Sequence, residues 1–473
     1  MSRARMTHRA HRPAWRTTAS IAALALAGCA TAPDWKPAPP DQALARAEVP
    51  ARLPSAAASD EAPALLWNQV VTSPRLQAWV TLALAHNRDL RVATANVQRA
   101  RAQVDSTSAA RLPTVGAGLN ASRAPNGQGN QANTLSAGVQ LASWEIDLFG
   151  RLANQSEAAL AQWLASSQAR RATELSLVAA VLQAGLALQA DDELLALARQ
   201  TLASREQTLK LVQLREAAGA ASQLELQAQL GLVAQARATL AQLERQRAQS
   251  GSALALLLGR PVPDDPAAAS GASPRLADEA WLAEVPAGLS SAVLLRRPDV
   301  LQAESALRAA DANIAVARTA FLPSLTLTGQ AGQVSPQLSG LFQGGNFAYT
   351  AAASLALTLF DGGRRQANLD SVQAARTAAQ AQYERAIQAA FRETADALAG
   401  GATWRAQRLA LEQQRSAARE SARLTTLRAE QGAASTLELL EAQRSLFAAE
   451  QAVLQARLGE LNNRVALFKA LGG

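Results

Sequence analysis

From Phe347 to Leu359 the chain alternates. Phe347, Tyr349, Leu355, Leu357 and Leu359 fall on one face, and Thr350, Ser354 and Thr358 on the other. A period of two predicts a strand. Residues 114–124, 134–148 and 324–334 share this texture of small, β-branched and polar residues. Polar Gly/Asn/Gln loops, 126–133 and 335–346, join the strands into two pairs. Elsewhere the rhythm is helical. No proline occurs from Asn126 to Arg260 or from Gln337 to the end, and both stretches are rich in Ala, Leu, Gln, Arg and Glu. Proline inside a helix removes a hydrogen bond and clashes with the preceding turn, so its absence permits long helices. The clearest breaks are the turns at Gly219 and Gly432. Each is followed by a serine, Ser222 or Ser435, placed to cap a new helix.

The pattern occurs twice. Asp89 to Pro113 matches Asp299 to Pro323 in spacing, Leu148-Phe149-Gly150 answers Leu359-Phe360-Asp361-Gly362, and "GAASQLEL" from Gly219 answers "GAASTLEL" from Gly432. Such long-period self-similarity marks a duplicated unit. Each half reads helix, strand, strand, long helix, turn, helix. The first repeat spans 64–260, with an opening helix from about Asn87 to Arg111, strands 114–124 and 134–148, a long helix 151–216 and a return helix 222–257. A linker, 261–295, leads to the second repeat at 296–473. That repeat has helix 298–321, strands 324–334 and 347–359, long helix 363–430 and return helix 435–470. At 1.5 Å per residue a long helix is roughly 100 Å, a return helix roughly 54 Å and the opening helix roughly 38 Å. The two short helices end to end nearly match the long one, which predicts four antiparallel helical columns per chain.

The strands are near the ~9–11 residues that cross a bilayer at a tilt. Four strands cannot close a membrane barrel, and lipid does not tolerate an open sheet edge. Either the strands lie outside lipid, or copies of the chain share a barrel. Both hairpins fall at the same end of the predicted columns, which favours sharing. Three copies would give twelve strands and twelve columns, although strand spacing alone does not set the number.

The first residues change the picture of place. Arg3, Arg5, Arg9, Arg12 and Arg16, with no acid, precede the apolar run Ile21 to Ala27. That is the order and size of a signal peptide. It ends in Leu26-Ala27-Gly28-Cys29, which resembles the bacterial lipobox, and Cys29 is the single cysteine of the chain. The resemblance implies cleavage after residue 28, lipid on Cys29, and a Pro/Ala-rich tether over 29–63. Ala30, rather than an aspartate, follows the cysteine, which implies outer-membrane sorting. Lipid chains hold a protein on a leaflet without spanning it. The formal charge of +8 includes the five leader arginines, so the mature chain carries about +3, a weak reason to expect nucleic acid as a partner. With His8 and His11 in the leader, His86 is the one histidine left. A His/Cys metal site, a Cys–His pair or a Ser/His/Asp constellation therefore has almost no material, and no catalytic residue, metal or cofactor is expected beyond the lipid on Cys29. His86 itself reads as a solvated helix end.

The lipobox, "SWEIDLFGR" (143–151), "LRRPDV" (295–300), "AFLPSL" (320–325), "LFDGGRR" (359–365), "GAASTLELLEAQRSLF" (432–447) and the closing "LFKALGG" (467–473) together resemble the TolC-like outer membrane factors, most closely their OprM/NodT-type lipoprotein branch. The resemblance covers nearly all the chain after residue 60. It implies a mainly α fold with a small β part: a homotrimer with a twelve-stranded transmembrane β-barrel, four strands per chain, and a trimeric α-barrel of long antiparallel helices in the periplasm. An equatorial belt would be built from the linker and the chain termini. The implied function is the outer-membrane channel of a tripartite efflux system, passive and not enzymatic, working with a periplasmic adaptor (membrane fusion) protein and an inner-membrane pump of the RND type.

For such a duct the residues that matter form a gate and a docking surface. Glu438 and Glu441 lie three apart on one helix face. A ring of carboxylates can select by charge, and like charges raise one another's pKa. By the resemblance, Leu437 is the apolar ring of the periplasmic constriction, Glu441 its acidic ring and Glu438 a second acidic position. Without the resemblance these glutamates read as a solvated helix face. The turns Gly219–Ser222 and Gly432–Ser435 are the implied adaptor-docking tips, though plain helix-turn-helix geometry asks for the same residues. "LRRPDV" reads as a helix start, with Pro298 in the first turn and Asp299 on the helix dipole. Trp144 suits either an interfacial aromatic belt or core packing. Two other readings remain: the duct of a type I protein secretion system, and a non-channel periplasmic coiled-coil lipoprotein.

Overall fold

The computed structural model describes residues 36, 38–50, 53, 66–125, 129–263, 275–276, 281–283 and 291–473. Cys29, the leader and most of the tether lie outside the described residues. In chain order the elements are α1 (Pro40–Arg46), α2 (Trp67–Val70), α3 (Pro74–His86), α4 (Arg88–Ala109), β1 (Val115–Pro125), β2 (Gln131–Ile146), α5 (Arg151–Ala217) and α6 (Gln223–Leu258). A 3-10 turn, Ser291–Arg296, then leads to α7 (Pro298–Thr319), β3 (Ser324–Ser335), β4 (Phe347–Ala356), α8 (Arg364–Glu430) and α9 (Thr436–Ala470). The two long helices, α5 and α8, have 67 residues each.

The chain divides into two compact units. One contains Val97–Ser166 and Ala303–Tyr383 and is built on a four-stranded antiparallel sheet in the order β1-β2-β3-β4. The central pairing, β2 with β3, joins the two repeats and sets Gly138 opposite Gly332. A Cβ on Gly138 would sit 2.6 Å from the Gly332 Cα, and a Cβ on Gly332 would sit 2.6 Å from the Gly138 Cα. Glycine inside a strand marks such a close backbone approach. A bulge follows between Leu141 and Trp144. Trp144 Nε1 donates to the Arg111 carbonyl at 3.0 Å, which ties β2 to the chain leaving α4. β1 and β4 are the sheet edges. On β4 the apolar Phe347, Tyr349 and Leu355 are exposed.

β4 stops at Ala356, short of the expected Leu359. Its ladder runs out where β3 begins, Ser324 pairing with Ala356. The preceding Phe321 and Leu322 are held in a turn, and Pro323 has no N–H to offer. Where strand meets long helix, Arg151 grips Glu145 through two bonds, 2.8 and 2.6 Å, and Asp361 accepts from Arg365 Nε at 2.7 Å and from the Arg365 amide at 3.1 Å.

The other unit contains Ala38–Asn96, Ser167–Gln302 and Glu384–Gly473. Its core joins Leu76, Trp79 and Val80 of α3, Leu182 and Leu186 of α5, Leu254 and Leu258 of α6, and Val465 and Phe468 of α9. Gly185 lets α3 lie directly on α5: a Cβ there would meet the Leu76 side chain at 2.7 Å. α3 is an element the expected opening helix lacked. Asn87 (φ −59°, ψ 134°) separates α3 from α4. Its buried side chain caps α4 by accepting from the Leu90 amide at 2.9 Å and donates to the Leu257 carbonyl at 2.9 Å. His86 is the exposed last residue of α3.

The described parts of the linker are pinned in this unit. Val71 bridges Leu282, Ala283 donates its amide to the Val70 carbonyl at 2.8 Å, and the Leu276 amide donates to Glu193 at 2.5 Å. Burial pushes the Glu193 carboxyl up, against the pull of that amide and of Arg275 and Arg457. The "LRRPDV" segment forms a clamp. Arg297, 4% exposed, donates to both oxygens of Asp299 (3.0 and 2.7 Å), to Glu393 at 2.7 Å and to the Ala470 carbonyl at 2.9 Å. It thus ties the start of α7 to α8 and to the end of α9. Burial alone would raise the Asp299 carboxyl, but the Arg297 guanidinium outweighs it and holds the group below the usual carboxylate range.

Candidate functional site

Each hairpin tip is built the same way. After α5, the Gly219 amide donates to the Glu216 carbonyl (2.8 Å) and the Ala220 amide to the Arg215 carbonyl (2.7 Å). After α8, Gly432 donates to Ala429 (3.1 Å) and Ala433 to Arg428 (2.8 Å). Both glycines have φ of 72°. That left-handed conformation closes a helix C-terminus and costs other residues strain. Turn geometry therefore demands these glycines by itself, and a Cβ on either would meet nothing within 4 Å, so both tips face open space.

Ser222 and Ser435 cap the return helices, accepting from the Glu225 and Glu438 amides at 3.2 Å. Here the repeats diverge. Glu438 turns back and accepts from the Ser435 amide at 2.7 Å and its hydroxyl at 3.1 Å, completing a capping box. The Ser435 amide, then its hydroxyl, then Arg428 hold the Glu438 carboxyl below the usual range. Glu225, its counterpart, instead accepts from the Thr436 hydroxyl at the start of α9. One carboxylate closes its own tip, and the other links the two tips.

Leu437 lies in the first turn of α9 and is 75% exposed. Its counterpart Leu224 is 80% exposed. Two further leucine pairs, Leu211 with Leu424 and Leu214 with Leu427, are exposed at matching places near the two tips. Glu441 is exposed one turn beyond Leu437 and lies 3.5 Å from Arg444. Leu437, Glu441 and Arg444 therefore share an exposed stripe of α9, whereas the Glu438 carboxylate is committed to the cap. Behind this stripe Arg205 of α5 is buried and donates to the Leu232 carbonyl at 3.0 Å. Burial, and then the like charge of Arg444, lower its pKa. The sequence reading missed the Glu225–Thr436 link and Arg205. Only the repeat alignment, which sets Glu225 beside Glu438, hints at the first.

The arrangement offers an exposed leucine at the start of α9, an acid–base pair beside it, and two turns flanked by exposed leucines. A sequence model described as outer membrane efflux protein matches residues 79–260 and 289–473. Outer membrane protein OprJ of Pseudomonas aeruginosa is 40% identical over 477 residues, covering 98% of this chain and 96% of its own. Cation efflux system protein CusC of Escherichia coli K12 is 36% identical, covering 95% and 97%. The open state of the Neisseria gonorrhoeae MtrE outer membrane channel superposes with a TM-score of 0.83 at 36% identity, covering 94% of this chain and 98% of that one.

Proposed function

The chain belongs to the outer membrane efflux protein family, and from that membership we propose how its parts divide the work. It is the outer-membrane channel component of a tripartite efflux system and is trimeric. The observation that carries this is the open sheet: four antiparallel strands with β1 and β4 as edges and apolar side chains exposed on β4. With four alternating strands, β4 of one copy meets β1 of the next antiparallel, so only whole copies can close the ring. Three copies give the twelve-stranded barrel of the outer membrane, with the helices forming the α-barrel in the periplasm. Transport through it is passive, and the chain performs no catalysis.

In this proposal Leu437 and Glu441 surround the axis at the periplasmic end and set the resting aperture. Glu438 supports them by fixing the first turn of α9 rather than by facing the pore. Arg444 offsets the charge of Glu441, so the constriction is closer to neutral than a bare acidic ring. The Glu225–Thr436 link holds the two tips together while the gate is shut. The exposed leucines around Gly219–Ser222 and Gly432–Ser435 receive the helices of a periplasmic adaptor, which delivers cargo from an RND-type inner-membrane pump. Cys29 carries the lipid that anchors the mature N-terminus in the outer membrane.

Conductance in planar bilayers tests the gate. Leu437→Ala combined with Glu441→Ala is expected to raise resting conductance severalfold, and an unchanged value would remove these residues from the gate. Thr436→Val deletes the linking hydroxyl while keeping the side-chain shape. It is expected to produce more frequent openings without a wider fully open state; wild-type opening frequency would show that the link does not hold the gate. Cys29→Ser is expected to abolish incorporation of radiolabelled palmitate, and retained label would place the lipid elsewhere.

A further inference from the structure

The ion pairs along the two hairpins carry a pattern that efflux itself does not require. In the first repeat, Asp192, Arg199 and Glu206, seven residues apart on α5, pair with Arg247, Glu244 and Arg237 of α6 at 2.6, 3.7 and 2.7 Å. The tips at Gly219 and Gly432 set the equivalent positions of the second repeat, and every sign is reversed there. On α8 the three become Arg405, Glu412 and Arg419, and on α9 they become Glu460, Arg457 and Glu450. One of the reversed pairs is made, Arg419 with Glu450 at 2.9 Å. At the other two levels Arg408 of α8, one turn beyond Arg405, holds both acids, Glu460 of α9 at 2.6 Å and Glu412 of its own helix at 2.7 Å.

Either sign would serve a hairpin equally well, so the inversion matters only between hairpins. α5 touches both return helices: Leu194, Leu195 and Ala198 pack with Leu243 of α6 and with Leu454 of α9. A five-residue turn keeps α6 near α5, but it does not fix the rotation of a 67-residue helix about its own axis. If the charged flank of α5 turned to α9, it would set Asp against Glu, Arg against Arg and Glu against Glu. The charged flank of α8 on α6 would likewise meet like charges at all three levels. Had the repeats kept one sign pattern, both mispairings would be as attractive as the native ones.

We propose that this inverted charge pattern is an address code, by which each long helix accepts the return helix of its own repeat and rejects the other. Flanking charges set partner choice between helices in this way, and repulsion in the wrong complex supplies the selectivity. The pairs are largely exposed, so each contributes little alone and the code acts as a set.

The test separates bond from code. A sixfold variant reverses both helices of the first repeat: Asp192→Arg, Arg199→Glu and Glu206→Arg with Arg247→Glu, Glu244→Arg and Arg237→Glu. Every ion pair within the hairpin survives, but both repeats now read alike. Three exposed pairs supply a preference of roughly tenfold, so the yield of SDS-resistant trimer in outer-membrane fractions is expected to fall severalfold. A second variant adds the matching reversals at Arg405, Arg408, Glu412, Arg419, Glu450, Arg457, Glu460 and Arg464, the last because Arg464 also pairs with Glu460 at 2.9 Å. It carries more substitutions yet restores opposite signs, and its trimer yield is expected to return toward that of the unmodified chain. Wild-type yield in the sixfold variant would overturn the proposal, because the charges would then act only as hairpin bonds. Equal loss in both variants would also overturn it, because the defect would then lie in the substitutions themselves. Neither outcome bears on the gate residues, which the variants leave untouched.

Discussion

Replacement of Arg297 by alanine is expected to cost about 3 kcal/mol, the lower end of what removing one partner of a buried ion pair costs. The lower end applies because Asp299 and Glu393 are partly exposed, with side chains 42% and 38% accessible, and water takes up part of their charge. What cannot be recovered is the buried bond to the Ala470 carbonyl, which also accepts from the Thr394 hydroxyl at 3.3 Å. Loosening should therefore centre on the end of α9 and the start of α7, and hydrogen exchange of those segments is the direct measurement. Protection equal to wild type there would show the clamp to be dispensable.

The same clamp predicts a pH dependence. The folded carboxyl of Asp299 is depressed, so its contribution is fully present above the unfolded value of about 3.9 and is lost as pH falls through the lower folded value. Arg297→Ala should flatten that part of the acid-unfolding profile.

Valine at Gly138 or Gly332 is expected to be as damaging, for a steric reason. Each added Cβ would lie 2.6 Å from the opposing glycine Cα, within reach of backbone that cannot rotate away. Overpacking of this kind costs about 3 kcal/mol or more when the obstacle is main chain. The affected ladder is the one that joins the first repeat to the second, so the expected result is loss of SDS-resistant trimers from the outer membrane. Valine at Gly129, where a Cβ meets nothing within 4 Å, removes a glycine with φ of 80° from the hairpin loop and serves as a control for loop strain alone. Normal trimers from Gly138→Val would mean that the sheet relaxes at this point.

The long helices, the four strands and the two tips could be read directly from the chain, because proline exclusion, period-two alternation and a duplicated Gly-Ala-Ala-Ser turn are local signals. α3 carried such signals too: Ser73 and Pro74 open it, and Leu76, Trp79, Val80 and Ala83 form its buried stripe. The internal repeat does not mark it, because the duplicated unit begins at Asn87 and, among the described residues, the second repeat has a 3-10 turn, Ser291–Arg296, in its place. The role of Glu438 was half legible. Ser-x-x-Glu is a capping signature, but the same glutamate also fits an acidic ring, and only the bond to the Ser435 amide separates the two. The Glu225–Thr436 link and the clamp partner Glu393 join residues far apart in sequence, where no periodicity or spacing can reveal a contact.

The two unfinished borders of the sheet have a genetic consequence. A ring completed only by siblings makes every tube a mixture of whatever alleles the cell expresses. If a chain with a defective gate but intact β1 and β4 were co-expressed at equal dose, only about one assembly in eight would be free of it, by random draw of three. Such an allele should behave as dominant, whereas one with a damaged edge strand, excluded from assembly, should behave as recessive.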